Sequence, residues 1–366
     1  MNTQQMLLMT IGLAAFFGTW AVVGVLIYLA PRIGLVDRPN ERSMHVRATP
    51  RGGGIGFVIA ILVSLGALIV GVSRYLLLEN AAIVPAFAVY LVGALFIAGI
   101  SLRDDFKSLG SGVRLFFQVG AAAAAVIGVD YFSRVSLGRG YELDLGLVGI
   151  ALTMLWLVGL TNVYNFMDGI DGLAGVQGMI AGLVWTMAGF AFGLPHTVLI
   201  GMFLAAGCAG FLVYNWSPAM IFMGDVGSAF LGYTFAVLPL LMLSETESLN
   251  IAINPGTLPL FAMLVMWPFI GDGFFTFLRR AIAREPVLKP HRSHLYQRLA
   301  RSGWSHAQVC WLYSVWAVLS GGLAMAWLQN PSLLTAAVSL SGALLSLGAL
   351  YWFVTRRERR KAPAHA

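Results

Sequence analysis

Carboxylates are scarce in this 366-residue chain, and several of them stand beside glycines, amides or arginines. Asn165, Asp168 and Asp171 recur every third residue in NVYNFMDGIDGLAG. A helical turn would direct the first two to nearly one side, while Gly169 and Gly172 would let backbone or ligand approach closely. Amide and carboxylate oxygens at that spacing suit a hard cation such as magnesium, which takes one or two carboxylates and fills its shell with water and phosphate oxygens. A capped, glycine-rich helix start is the structural alternative. Four more carboxylates fall at the same inner helix ends: Asp104 and Asp105 in LRDDFKSLG, Asp225 in IFMGDVGS and Asp272 in FIGDGFF. Each has a plain reading alone: the pair ends a helix in water, Asp225 caps a helix, and Asp272 neutralises Arg279 or Arg280. Gathered at one membrane boundary they form a site, because ionisable groups there are costly unless they line a wet cavity or bind something.

Two basic segments complete the set. DRPNERSMHVRATPRGGG carries Arg38, Arg42, Arg47 and Arg51 and ends in glycines that can expose N–H groups to an anion; KPHRSHLYQRLAR adds Lys289, His291, Arg292, His294 and Arg298. Carboxylates beside guanidinium groups are what a magnesium diphosphate site needs: the metal bridges phosphates and arginines grip the remaining oxygens. For arginines outside HRSH, ordinary orientation charge is the expected role. The spacing of His291 and His294 does not by itself make them metal ligands.

These loops must hang from membrane helices. With 58% hydrophobic residues, 11% charged and a mean hydropathy of +0.80, a soluble globular fold is excluded. Apolar runs predict an all-α polytopic bundle of eleven spans, at 6–30, 54–72, 82–102, 114–130, 147–164, 172–193, 196–214, 226–243, 256–278, 307–328 and 332–354. Of the 23 basic residues, only Arg74, Arg134 and Arg139 fall on the other side from these loops, so the positive-inside rule orients the chain N-out and C-in. The same pattern explains the formal charge of +7 without nucleic acid. MNTQQ lacks a basic n-region, so the first apolar run is expected to remain as a span. Tyr131–Gly146 alternates as a small outside hairpin would, and Cys208 and Cys310 read as small core residues. No internal repeat or linker divides the chain, giving one integral membrane domain over residues 1–366.

In this order and on inner loops, DRPNERSMHVRATPRGGG, the Asp-Asp pair, NxxNFMDGIDGLAG, NWSPAMIFMGDVGS and HRSHL resemble the polyprenyl-phosphate N-acetylhexosamine-1-phosphate transferases. That family includes the enzyme making the first lipid intermediate of peptidoglycan. The resemblance covers about residues 30–310. It implies a bundle of ten or eleven helices in the bacterial inner membrane, often dimeric, with a cytoplasmic active-site cleft. The reaction it implies moves a sugar 1-phosphate from a UDP-N-acetylhexosamine to undecaprenyl or another polyprenyl phosphate, releasing UMP, with magnesium or manganese. By position, Asp104 and Asp105 match the acidic pair assigned to activating the lipid phosphate, and Arg114 a phosphate contact. Asn165 and Asp225 match metal-holding positions, and Asp168 a carboxylate needed for activity. Asp171 matches a reader of uracil, Phe222 an aromatic stacked on it, and His291, Arg292 and His294 the diphosphate-contacting histidine loop. Tyr296 and Gln297 stand where N-acetylglucosamine-transferring members carry two further histidines. This departure resembles the branch that starts O-antigen or capsule chains, often on deoxy sugars; either both side chains face the donor or they pack against the next helix.

The expected mechanism is in-line attack by the lipid phosphate on the β-phosphorus, with Asp104 as base; a phospho-aspartate route is the variant. A cation-coupled transporter would also have many spans and buried carboxylates, but its carboxylates would gather at the midplane. A lipid-phosphate hydrolase would need a nucleophile motif that the sequence lacks.

Overall fold

A computed structural model describes residues 3–39, 44, 47–59, 83–286 and 291–361. In hydrocarbon no water is present to satisfy backbone N–H and C=O groups, so an apolar run of membrane length must close its own hydrogen bonds as a helix. The chain does this throughout: α1 (Thr3–Leu29), α3 (Val84–Phe106), α4 (Ser111–Gly128), α5 (Gly146–Met167), α6 (Leu173–Phe192), α7 (Pro195–Asn215), α8 (Gly224–Ser248), α12 (His306–Gln329) and α13 (Leu333–Lys361). Between α1 and α3 a helix α2 starts at residue 54; beyond residue 59 the expected 54–72 span lies outside the described residues. Among the described residues nine helices are long and apolar enough to cross a membrane, and a bent pair makes ten, so the protein is an all-α polytopic membrane protein.

The expected straight span at 256–278 is corrected by that pair. The chain runs as α9 (Leu258–Val265), turns through 77° at Met266 and continues as α10 (Trp267–Ile282). Pro268 sits in the first turn of α10, where its missing N–H is tolerated at a helix start and would break a continuous ladder. The short α11 (Leu295–Arg301) follows.

At the centre stands α8, buried along its apolar stretch and packed on α3 and α5. The α6–α7 hairpin is tightly packed: a Cβ on Gly182 would lie 2.6 Å from the Ala205 nitrogen, and one on Gly201 the same distance from the Thr186 nitrogen. Small residues let these backbones approach where lipid supplies no hydrophobic drive between helices. The fully buried Glu245, at the far end of α8, accepts bonds from the His196 and Thr197 amides and the Thr197 hydroxyl, satisfying the first turn of α7.

Sheet is minimal. β1 (Val36–Asp37) pairs antiparallel with β2 (Thr49–Pro50), and β3 (Arg134–Ser136) with β4 (Glu142–Asp144). The second pair is the hairpin expected between α4 and α5. Both cysteines are free and buried. The C-termini of α3, α5 and α7 and the N-termini of α4, α6, α8 and α12 all meet at one end of the bundle, opposite the hairpin. That end carries the polar loops.

Candidate active site

The site is built around the start of α8. Gly224 takes a positive φ of 78°, and a Cβ there would lie 2.7 Å from an Asp105 oxygen. Asp105, from the last turn of α3, accepts the Asp225 N–H at 2.9 Å and the Val226 N–H at 3.0 Å with a side chain wholly shielded from solvent. Asp105 therefore caps α8, which corrects the reading of Asp225 as its own cap. With that task taken, the Asp225 carboxylate faces outward to other groups. It accepts a bond from the Asn165 amide at 3.0 Å and lies 3.1 Å from Arg51 and 3.8 Å from Arg114. The Asn165 amide nitrogen also donates to Ser228 Oγ at 2.8 Å.

Asp104, one residue earlier, is paired with Arg114 at 3.1 Å and accepts the Leu109 N–H, so the acidic pair does not end its helix in free water. Arg51 arrives on the glycine segment, which runs beside residues 222–224. Phe222 N–H donates to Pro50 C=O, and Gly53 and Gly54 N–H donate to the carbonyls of Phe222 and Met223. A Cβ on Gly54 would come within 2.3 Å of the Gly227 backbone, so only glycine permits the approach. Arg51 then bridges Asp105 at 2.7 Å and Asp225 at 3.1 Å. Burial acts to lower its pKa, but these carboxylates prevail and raise it. Arg51 is thus a site residue, where orientation charge alone was expected.

The Asn165–Gly172 loop joins α5 to α6. Asp168 follows the last turn of α5, and its pKa is pushed up to about 7 by burial and by the charge of Asp225, against the pull of Arg51. Asp171 behaves oppositely. Burial acts to raise it, yet the hydrogen bond and charge of His306 hold it below the usual carboxylate range. His306 Nδ1 lies 3.2 Å from Asp171 Oδ2, which also accepts the Ala219 N–H at 3.2 Å. Gly172, at positive φ, donates to Asn215, and Asn215 donates onward to the Ile221 carbonyl. Asp171 is therefore tied to the segment that carries the half-buried Phe222. His306 was not singled out from the sequence; a lone histidine after a serine cap carries no spacing signal.

The histidine loop is held by Asp272. This fully buried carboxylate accepts the Leu295 N–H at 2.8 Å, the Tyr296 N–H at 3.1 Å and the Tyr313 hydroxyl at 2.6 Å, with His294 Nδ1 3.5 Å away. Neither Arg279 nor Arg280 is its partner; Arg280 pairs with Glu285 at 2.8 Å and Arg279 donates to the Ser293 carbonyl. Asp272 thus satisfies the start of α11 inside the protein, which sets His294 at its N-terminus. The rings of His291 and His294 lie 4.9 Å apart, with Arg292 half-buried between them in sequence. Burial and the neighbouring charges of His294 and Arg280 push the His291 pKa down to about 4. Tyr296 is fully buried and Gln297 nearly so, with the Gln297 amide oxygen accepting the His294 N–H at 3.3 Å. They pack inside rather than facing a donor, which removes the step from this departure to a deoxy sugar.

Comparison with known proteins decides the family. Residues 87–243 match the family described as Glycosyl transferase family 4. The probable undecaprenyl-phosphate N-acetylglucosaminyl 1-phosphate transferase of Bacillus subtilis is 34% identical over 76% of this chain and 73% of its own. The decaprenyl-phosphate N-acetylglucosaminephosphotransferase of Mycobacterium tuberculosis is 32% identical over 92% of this chain and 86% of its own. The phospho-N-acetylmuramoyl-pentapeptide-transferase of Latilactobacillus sakei is 26% identical over 77% and 87%. The chain belongs to glycosyl transferase family 4. It is a membrane-embedded sugar-1-phosphate transferase.

The part of the chain matched as family 4 contains Asp104, Asp105, Arg114, Asn165, Asp168, Asp171, Phe222 and Asp225. Arg51 and the histidine loop lie outside it, and the fold brings them to the same end. Carboxylate and amide oxygens are donor types that a hard cation takes. Among the described residues no three His, Cys, Asp or Glu side chains converge as a ready metal cage. What converges is one outward carboxylate, Asp225, beside the Asn165 amide, whose carbonyl oxygen is turned away from the nitrogen that donates to Asp225 and Ser228. Magnesium takes one or two carboxylates where substrate phosphates and water fill the rest of its shell.

Proposed function

We propose that this enzyme transfers N-acetylglucosamine 1-phosphate from UDP-N-acetylglucosamine to a polyprenyl phosphate, releasing UMP and yielding the first lipid-linked sugar of a cell-surface polysaccharide. The observation carrying this reading is the meeting, at one end of the bundle, of Asp104, Asp225 and Asn165 with Arg51 and Arg114. Such a cluster suits a reaction between two phosphate-bearing partners, one soluble and one lipid. The positive-inside pattern supports a cytoplasmic position for that end, in the bacterial inner membrane, with the N-terminus out and the C-terminus in. The curated relatives from Bacillus subtilis and Mycobacterium tuberculosis carry N-acetylglucosamine in their names, and the buried Tyr296 and Gln297 give no reason to expect another sugar.

Asp225 and Asn165 would hold magnesium or manganese, which when bound supplies charge neutralisation for the donor diphosphate. Arg51 and Arg114, each already paired with carboxylates, supply the guanidinium groups that grip phosphate oxygens as the anionic partners arrive. Asp104 takes the remaining proton of the lipid phosphate, whose oxygen attacks the β-phosphorus; the bond to the UMP oxygen breaks and UMP leaves. Asp168 adds a carboxylate needed at the same centre. Asp171 and Phe222 bind the base, and His291, Arg292 and His294 contact the diphosphate. Asp105 acts through α8, holding Asp225 in place.

The test is purified protein with UDP-N-acetylglucosamine and undecaprenyl phosphate, read by mass spectrometry of the lipid and by UMP release. A sugar-diphosphate lipid formed in step with UMP is expected. Transport without either product, or inorganic phosphate alone, would reject the reading.

A further inference from the structure

Tyr296 sits where two loops of the site touch. Its backbone N–H is fixed by Asp272 at the head of α11, and its fully buried ring stacks on His294 at 5.8 Å between centroids. Its hydroxyl reaches across to the other loop and donates to the Phe166 carbonyl at 3.0 Å, in the last turn of α5 beside Asn165. At the same point Gly169, next to Asp168, leaves the hydroxyl its space. A Cβ on Gly169 would lie 2.1 Å from Tyr296 Oη, 3.1 Å from Cζ and 3.4 Å from Cε2. The ring cannot yield as an exposed tyrosine would, because it is anchored at the backbone and enclosed on all sides. Contact between a buried hydroxyl and a glycine backbone therefore sets how far apart the two loops stand.

We propose that Tyr296 is a positioning residue, a strut that fixes the loop of Asn165 and Asp168 relative to the loop of His291, Arg292 and His294. This rests on the reading that the two loops act on one donor. Alignment of groups on either side of a reacting phosphorus matters most in the transition state, and a displacement of about 1 Å can cost a hundredfold in rate. Tyr296 has no access to substrate, so its influence passes through Phe166 and Gly169 on one side and His294 on the other.

The experiment is a cycle of Tyr296→Phe, Gly169→Ala and the double variant, with kcat, donor KM and the Tm of ligand-free protein measured for each. Tyr296→Phe, which keeps the ring, should lower kcat about tenfold and leave donor KM within about twofold. Gly169→Ala should lower kcat about a hundredfold and lower Tm, since its Cβ meets the hydroxyl. The double variant lacks that oxygen, so it should regain about tenfold in kcat and most of the lost Tm, ending near Tyr296→Phe alone. Wild-type kcat in Tyr296→Phe would overturn the positioning role, and a double variant carrying the full product of both defects would overturn the strut. Recovery of Tm with no kcat effect in any variant would overturn the positioning role as well. If the wild-type protein makes no sugar-diphosphate lipid, the transferase reading fails separately, and the Tm cycle still decides whether the strut exists.

Discussion

His306 places its Nδ1 3.2 Å from Asp171 Oδ2 and joins the start of α12 to the loop between α5 and α6. Asp171 is held by His306 and the Ala219 N–H, whereas Asp225 is held by Asn165, Arg51 and Arg114, so binding and chemistry should respond to different substitutions. Removing the imidazole frees the Asp171 carboxylate from one partner and leaves the Ala219 N–H and the Ser217 side chain. His306→Ala should therefore raise KM for the UDP-sugar about tenfold and leave kcat within about twofold, since base contacts act as uniform binding. Steady-state kinetics with varied donor check this. An unchanged donor KM would detach Asp171 from the base.

Asp225 receives Arg51, Arg114 and the Asn165 amide at one carboxylate. Asp225→Asn and Asp104→Asn should each lower kcat by about two orders of magnitude or more, since each removes a charge used in the transition state. The protein should still elute as folded material in detergent. Near-normal rates in both variants would make the cluster structural.

Asp168 carries a stability cost with a defined sign. Its folded pKa of about 7 lies above the ordinary carboxylate value of 3.8, so the folded state retains a proton that the unfolded chain has released. Below the unfolded value both states are protonated and the cost vanishes. It grows as pH rises from the unfolded value to the folded one and is complete above it. In metal-free buffer, Asp168→Asn should melt higher than wild type at pH 8, by about 2–4 °C for each kcal/mol relieved. The two proteins should converge below about pH 4. The stabilised variant should be inactive.

Chelation offers a direct check of the cation. With an outward carboxylate and an amide in place of a full cage, the cation is expected to enter with the phosphates, and excess EDTA should abolish turnover reversibly. UMP release undiminished in EDTA would remove the metal roles of Asn165 and Asp225.

Much of this was legible in the sequence because a bilayer leaves the backbone so few choices. Runs of apolar residues had to become helices, the polar loops had to collect at their ends, and Tyr131–Gly146 had the alternation of a hairpin. Asp104, Asp168 and Asp225 could be picked out because ionised groups in a chain this apolar need a reason to be where they are, Asn165 by its spacing with Asp168 and Asp171, and Arg114 only through the family resemblance. The 77° turn at Met266 was not legible, since hydropathy averages over α9 and α10 and does not register direction. Nor was Arg51, which looks like any other inner-loop arginine until the glycine segment lays it beside α8.

By itself, then, the sequence determined the class of protein, the end of the bundle where chemistry gathers and the residue types available there, because hydropathy and charge act locally along the chain. The tertiary structure decided which of two adjacent aspartates does what. Asp105 turns inward to cap α8 and Asp104 turns to Arg114, a division that adjacency in sequence leaves open. It also decided that Tyr296 and Gln297 face the interior, because Asp272, more than twenty residues earlier, captures the start of α11 and rotates both side chains into the core. Burial and hydrogen bonding are satisfied between distant segments, and only the fold brings those segments together.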